Sequence, residues 1–366
     1  MRPERAPQDI RRILIVKWSA MGDVVLATAL MEDIRRAFPT AVLHLNTLPA
    51  YAGLFAHDPR FDEVWAIDVR KRGARLTNAL AWIRRVRRGR YDLIVDLQRT
   101  DRSRLLLTLL LLTGGAPRYR LGNRGGFPYT HRPEVTDPRA HAFLMMRSAL
   151  HALGIPTPTT HPVLHASPQQ EARLTALMQA EGLAPGRFAL FLPGSQAAGW
   201  LKRWGAARYR ALARLVGEAG LAERVAVVGG PDEVEECAAI CADAPFCVNL
   251  NGRLELLQIA VLAQNAAFVV ANDTGTAHIA AAADRPMLVL CGPTDPARVR
   301  PLGERVSALQ ALLPCRSCYA KECRNARRHE CMQRLTPELV LQELRALLGL
   351  APAPAAGLIR LSGLPT

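Results

Sequence analysis

Short apolar runs alternate with amphipathic stretches along this chain, and that alternation leaves few folds open. Residues 12–17, 42–46, 64–68 and 91–96 are apolar-centred runs of strand length. Between the first two, residues 24–38 place Val24, Ala27, Leu30, Ile34 and Ala37 on one helical face. A second series begins at residues 188–192. It continues through a helical 206–218, a strand at 224–228 that runs into Gly229-Gly-Pro, a helical 233–242, and strands at 266–270 and 287–291. Such a β-α-β rhythm demands parallel sheets covered on both faces. Residues 154–162, rich in Pro and Thr, read as the linker between the two series. The expected architecture is α/β, with two doubly wound, Rossmann-like halves facing a cleft. Residues 1–165 form one domain, 166–350 the other, and the Ala/Pro-rich residues 351–366 a flexible tail. At 366 residues the chain has the length for two domains. In such folds ligands bind at the carboxyl ends of the strands.

Composition narrows the partners. The net charge of +15 is carried almost wholly by arginine, because Lys17, Lys71, Lys202 and Lys321 are the only lysines. Anionic partners follow: nucleotide-sugars, an anionic membrane surface or nucleic acid. Only 5% of residues are aromatic, and no dense stripe of basic and aromatic residues occurs, so a dedicated single-strand nucleic-acid binder is disfavoured. The N-terminal residues lack a signal-peptide core. The longest apolar run, residues 105–112, is about half a membrane span and reads as a buried helix. The expectation is a cytoplasmic protein with reduced cysteines.

Several strand-to-loop junctions carry chemistry. After the apolar run 266–270 the chain turns through Asn272, Asp273, Thr274 and Gly275 into an Ala-rich helix. A helix start there offers backbone N–H groups and a favourable dipole to an anion. Asp273 and His278 flank it with groups that bond sugar hydroxyls. After the first strand, Lys17-Trp-Ser19-Ala-Met-Gly22-Asp23 leads into the first helix. Gly22 permits a tight turn, and Asp23 either caps the helix or serves as a general base on a hydroxyl nucleophile. Ser195, in a Pro-Gly-Ser turn, and Lys202 form a second candidate phosphate grip. Asp232 and Glu233 follow a glycine pair and offer a carboxylate to a ribose. The chain has no P-loop, no G-x-G-x-x-G after the first strand, no H-E-x-x-H and no Asp-x-Asp for a divalent ion.

Cys315, Cys318, Cys323 and Cys331 fall within 17 residues and open with a C-x-x-C. That spacing suits a closed, structural site for zinc or iron. The alternative is four reduced thiols, or disulfides formed on isolation. Cys237, Cys241, Cys247 and Cys291 read as ordinary buried thiols.

Together these motifs resemble glycosyltransferase family 9, the ADP-heptose:lipopolysaccharide heptosyltransferases. Lys17-Trp-Ser-Ala-Met-Gly-Asp23 is similar to the family's K-x-S-x-x-G-D opening, and Pro193-Gly-Ser with Lys202-Arg-Trp204 to its donor-phosphate loop. Asn272-Asp-Thr-Gly-Thr-Ala-His278 resembles its D-[TS]-G-x-x-H motif, and Gly292-Pro-Thr-Asp-Pro296 the motif that follows. The cysteine cluster also recurs in many members. The likeness runs in order over residues 12–345. It implies a GT-B fold and an inverting transfer of heptose from ADP-heptose to a hydroxyl of lipopolysaccharide inner core, with no catalytic metal. Asp23 is then the base, Ser195 and Lys202 hold the pyrophosphate, and Asp273, Thr274, Gly275 and His278 bind the donor. Either Asp232 or Glu233 takes the ribose. Lys17, Ser19 and Gly22 shape the acceptor loop. The segment between Ser195 and Lys202 departs from the Thr-rich form of some members.

The implied acceptor is a phosphorylated, lipid-linked saccharide at the inner face of the inner membrane. The basic segments Arg70-Lys71-Arg72 and Arg84-Arg-Val-Arg-Arg88 would meet it, unless they are a solvated helix face. No nucleic acid is expected. Two rival readings remain: a family member that modifies a protein, and a non-catalytic anion or nucleic-acid binder on the same fold. The second predicts salt-sensitive polynucleotide binding without ADP release.

Overall fold

The computed structural model of the protein describes residues 6–71, 73–122, 124–195, 197–352 and 357–365. Arg72 of the first basic segment and residues 353–356 and 366 of the tail lie outside them. The chain divides into two compact units, the first running to His165 and the second spanning Ala166–Leu364.

The first unit has strands β1 (Arg12–Val16), β2 (Val42–Thr47), β3 (Glu63–Ala66), β4 (Leu93–Asp96) and β5 (Tyr119–Gly122). Its helices are α1 (Met21–Ala37), the single turn α2 (Pro49–Ala52), α3 (Arg75–Gly89), α4 (Asp101–Leu112) and α5 (Ala142–His151). The strands are parallel in the order β3-β2-β1-β4-β5. The order reverses between β1 and β4, so the loops after these two strands flank a topological switch point. Helix α1 packs on α5, and α3 packs on α4.

The second unit has β6 (Phe188–Leu192), β7 (Arg224–Val227), β8 (Cys247–Asn249), β9 (Phe268–Asn272), β10 (Met287–Cys291), β11 (Val306–Ala311) and β12 (Leu358–Ser362). Its helices are α6 (Pro168–Ala180), α7 (Ala206–Glu218), α8 (Val234–Cys241), α9 (Leu256–Asn265), α10 (Gly275–Ala280), α11 (Pro296–Val299), α12 (Glu330–Gln333) and α13 (Pro337–Leu347). The sheet order is β12-β11-β10-β9-β6-β7-β8, and only the β11–β12 pairing is antiparallel. Here the switch point lies between β6 and β9. Helices α8 and α13 pack on α7 over one face, and α6 and α10 pack on α9. Phe191, Trp204, Tyr209, Phe268 and Leu290 are fully buried in its core.

Residues 154–162, read as the linker, are tied to the first unit: Asp33 Oδ1 on α1 accepts the Thr159 N–H at 3.2 Å and its hydroxyl at 2.5 Å, and Val163 N–H reaches Thr28 Oγ1 at 3.0 Å. Two expectations need correction. The tail is not loose throughout, because β12 takes up the free hydrogen-bonding edge of β11 over five registered pairs. Residues 105–112 are not a buried helix. Only one face of α4, with Leu106, Leu107 and Leu110, enters the core. Among the described residues no helix is long and apolar enough to cross a membrane.

Candidate active site

At the switch point of the first unit, the loop from β1 to α1 is held by buried polar groups. Gln98, just past β4, accepts the N–H groups of Trp18 and Ser19 on Oε1, each at 2.9 Å. The Trp18 and Trp82 indoles both donate to Asn46 Oδ1, at 2.7 and 2.8 Å. The Ser19 hydroxyl accepts from Arg70 at 3.2 Å. Lys17 is buried, donates to the Leu97 carbonyl at 3.2 Å, and lies 3.9 Å from the Asp23 carboxylate. Burial lowers the Lys17 pKa, while Asp23 and Asp96 pull it upward. Asp96 is itself buried. Its Oδ2 accepts the Tyr129 hydroxyl at 2.6 Å, yet desolvation pushes its pKa up to about 6.

Asp23 stands at the third residue of α1, with a side chain 45% exposed. The N-cap is Ala20, which makes no side-chain bond, so the capping role open to Asp23 in the sequence is not the one it takes. Gly22 lies inside the first helical turn, not in a turn before it. What results is an accessible carboxylate at a helix N-terminus, where the dipole favours negative charge, with a buried ammonium behind it.

At the switch point of the second unit, Asn272 ends β9 and ties the two strand ends together. Its amide donates to the Pro193 carbonyl, and its Oδ1 accepts the Tyr209 hydroxyl at 3.1 Å. Asp273 follows, only 5% exposed, and its Oδ2 accepts from Lys202 Nζ and from the Thr294 hydroxyl, each at 2.8 Å. Thr274 is the N-cap of α10. Its hydroxyl accepts the N–H groups of Thr276 and Ala277 at 3.2 and 3.4 Å. Two of the N–H groups that the sequence offers to an anion are therefore already capped, by long bonds. Gly275 opens α10, and His278 is buried within it.

The Ser195 hydroxyl donates to the Gly199 carbonyl at 3.1 Å, closing the loop that ends at Lys202. Arg203 pins this loop. It donates to the Ser195 carbonyl at 2.7 and 3.1 Å and pairs with Glu233 and Glu236 at 3.4 and 3.3 Å. Glu233 is buried and also takes the Gly230 N–H, so its carboxylate is consumed within the loop. Asp232 is exposed, with its carbonyl turned to Arg203 at 3.2 Å. Of the two carboxylates that the sequence left open, Glu233 is buried and Asp232 is exposed.

The sequence model of glycosyltransferase family 9 (heptosyltransferase) matches residues 79–329. The chain belongs to this family. It is a glycosyltransferase, and its fold is GT-B. Lipopolysaccharide heptosyltransferase 1 of Pseudomonas aeruginosa is 29% identical to it, over 93% of this chain and 99% of that protein. The crystal structure of a family 9 glycosyl transferase from Veillonella parvula superposes with a TM-score of 0.75 at 20% identity, covering 94% and 99% of the two chains. That of the E. coli heptosyltransferase WaaC with ADP-2-deoxy-2-fluoro heptose gives 0.68 at 22%, covering 92% and 99%.

In this family 9 chain the sequence motifs fall into two groups. Ser195, Lys202, Asp273, Thr274, Gly275 and His278 gather on the β6 and β9 loops and on α10 of the second unit, with Asp232 beyond Arg203. Lys17, Ser19, Gly22 and Asp23 gather on the β1 loop and the start of α1 in the first. Sequence reasoning missed Asn272, Thr294, Arg203, Gln98 and Asp96 as site-building residues. For Asp96, Gln98 and Asn272 a signal existed, since each is a polar residue at or just past the end of an apolar strand.

The four cysteines of the C-terminal cluster line one cavity of about 600 Å³ with Leu201, Pro293 and His329. Among the described residues no three His, Cys, Asp or Glu side chains converge to hold an ion. Two of the sulfurs accept hydrogen bonds from protein donors. Asn325 donates to Cys315 Sγ at 3.4 Å, and the His329 N–H to Cys323 Sγ at 3.2 Å. Cys315 and Cys318 are exposed, and burial pushes the Cys331 thiol up to about 11.

Proposed function

We propose that this protein transfers heptose from ADP-heptose to a hydroxyl of lipopolysaccharide inner core, with inversion and without a catalytic metal. The observation that carries the reading is the Lys202–Asp273–Thr294 network at the β9 switch point of a family 9 chain. It holds an ammonium beside the loop where nucleotide phosphates bind in doubly wound folds. The bound ADP-heptose analogue in WaaC supports the choice of donor, and the relatives that act on lipopolysaccharide support the choice of acceptor.

Displacement at the anomeric carbon builds positive charge on the sugar and negative charge on the leaving ADP. Lys202, Ser195 and the Thr274–Thr276 hydroxyls take the negative charge, where fixed donors have the largest effect on rate. Gly275 lets the phosphate approach the backbone. Asp273 and His278 orient the donor, and Asp232 takes the ribose hydroxyls. Asp23 accepts the proton of the attacking hydroxyl. Lys17, Ser19 and Gly22 fix the loop that presents it. The first unit serves the acceptor and the second the nucleotide-sugar. The acceptor is lipid-linked, so the enzyme works in the cytoplasm at the inner face of a membrane.

The test is ADP release measured with ADP-heptose and core-truncated lipopolysaccharides. The proposal requires release that depends on both substrates and a product of inverted anomeric configuration. Release without acceptor, or transfer only from other nucleotide-sugars, contradicts it.

A further inference from the structure

Helices α3 and α4 bury one face each in a common core, where Trp82, Ile83 and Val86 meet Leu106, Leu107 and Leu110. Their outer faces also expose leucines. On α3, Leu76 and Leu80 are 81% and 52% exposed; on α4, Leu105, Leu109 and Leu112 are 57%, 36% and 75% exposed. The spacings of four, and of four and three, line these leucines along each helix. Phe127, 58% exposed, lies beside α4, where its carbonyl accepts Arg104 Nε at 2.7 Å. These six account for more than half of the eleven large hydrophobic side chains exposed among the described residues.

The surroundings of the patch are basic. Arg75, Arg84, Arg87 and Arg88 are exposed on α3, which contains no acidic residue. The stem of Arg87 crosses Gly115 just past the end of α4, so a cation of α3 lies beside α4. On α4 the sole carboxylate, Asp101, is paired with Arg124. Leucines flanked by arginines form the face of an interfacial helix: apolar side chains enter the acyl boundary while long cations reach the phosphates. Two copies of this face brought together would set arginine against arginine, which disfavours self-association.

We propose that the outer face of α3 and α4, with Phe127, docks on an anionic phospholipid bilayer. The inference deepens the reading of a lipid-linked acceptor and rests on it only for biological sense, since docking is measured without donor or acceptor. The full chain is sedimented with vesicles of phosphatidylcholine mixed with phosphatidylglycerol, and with vesicles of phosphatidylcholine alone. Binding to the mixed vesicles only, weakened by salt, is expected. Arg84→Gln with Arg88→Gln lowers the partition about 25-fold, at about fivefold per charge. Leu105→Gln with Leu112→Gln lowers it about tenfold. Both pairs leave the unfolding midpoint in place, because these side chains face solvent.

Equal binding to both vesicle types, no binding, or variants that bind like the wild type overturn the proposal. So does a dimer in vesicle-free solution that the leucine substitutions dissolve, which would make the patch a self-interface. Transfer to soluble core oligosaccharide separates the two claims. If it survives while docking fails, only the bilayer surface is lost; if docking holds while transfer fails, only the reaction is lost.

Discussion

Replacing Lys202 by methionine removes the ammonium and keeps most of the side-chain stem. That ammonium lies 2.8 Å from Asp273 Oδ2. At an effective dielectric of about 20 the bare attraction is about 6 kcal/mol. Two effects cancel most of it: the cost of desolvating Asp273, which is 5% exposed, and water access to Lys202, which is 31% exposed. A net loss of about 1–3 kcal/mol in unfolding free energy remains, readable by urea denaturation. The effect on catalysis is separate. If Lys202 carries charge on the leaving ADP, kcat/KM for donor falls about 10²–10³-fold, measured as initial rates of ADP release. The double variant Lys202→Met/Asp273→Asn separates the two roles. It regains stability, because no uncompensated carboxylate is left buried and Thr294 still donates to the amide oxygen, but it does not regain turnover. A kcat/KM for Lys202→Met within about twofold of wild type, alongside lost stability, refutes the reasoning and makes Lys202 no more than a partner for Asp273.

Asp96, with a pKa pushed up to about 6, holds a proton in the folded state that the unfolded chain has released, so stability falls as pH rises from about 4 to 6. The drop is on the order of 3 kcal/mol, and Asp96→Asn should abolish it; identical slopes in urea melts of both proteins would contradict this. Gly194→Ala brings a Cβ to 2.6 Å from Glu233 Cδ, whose carboxylate holds Gly230 and Arg203. Overpacking there costs about 1–3 kcal/mol, and a change below about 0.5 kcal/mol would show that the loop simply yields. Brief iodoacetamide treatment of the folded protein, read by mass spectrometry, should modify the exposed Cys315 and Cys318 first. It should spare the buried Cys291 and Cys237, the latter with a thiol pushed up to about 12. Protection of Cys315 and Cys318 that a chelator relieves would mean a metal gathers them after all.

The two doubly wound units are legible in the sequence because their central strands are continuous apolar runs closed by polar turns. Strands β5, β8, β11 and β12 are not: Tyr119–Gly122 and Leu358–Ser362 carry arginine within four or five residues, and their pairing is set by neighbours distant in sequence. The exposure of α4 was equally hidden, since a helix with leucine on both faces shows no polar stripe to reveal which side meets solvent. In the site, the motif residues are visible as polar breaks after apolar strands. The roles that escape a linear reading are those set across loops. Thr294 and Lys202 meet on Asp273 from 21 and 71 residues away. Arg203 pairs with the buried Glu233 while the neighbouring Asp232 is exposed, a distinction that adjacent acidic residues cannot show in sequence.

The central claim is that the half-exposed carboxylate of Asp23, at the start of α1, takes the proton from the attacking hydroxyl. The measurement is the single-turnover rate of Asp23→Asn with saturating ADP-heptose and truncated lipopolysaccharide, set beside its donor affinity. Asparagine keeps the shape and a hydrogen-bond acceptor but lacks the basicity. The account predicts a chemical step slowed by about 10²–10⁴-fold with donor affinity unchanged. A variant that turns over at the wild-type rate would contradict it.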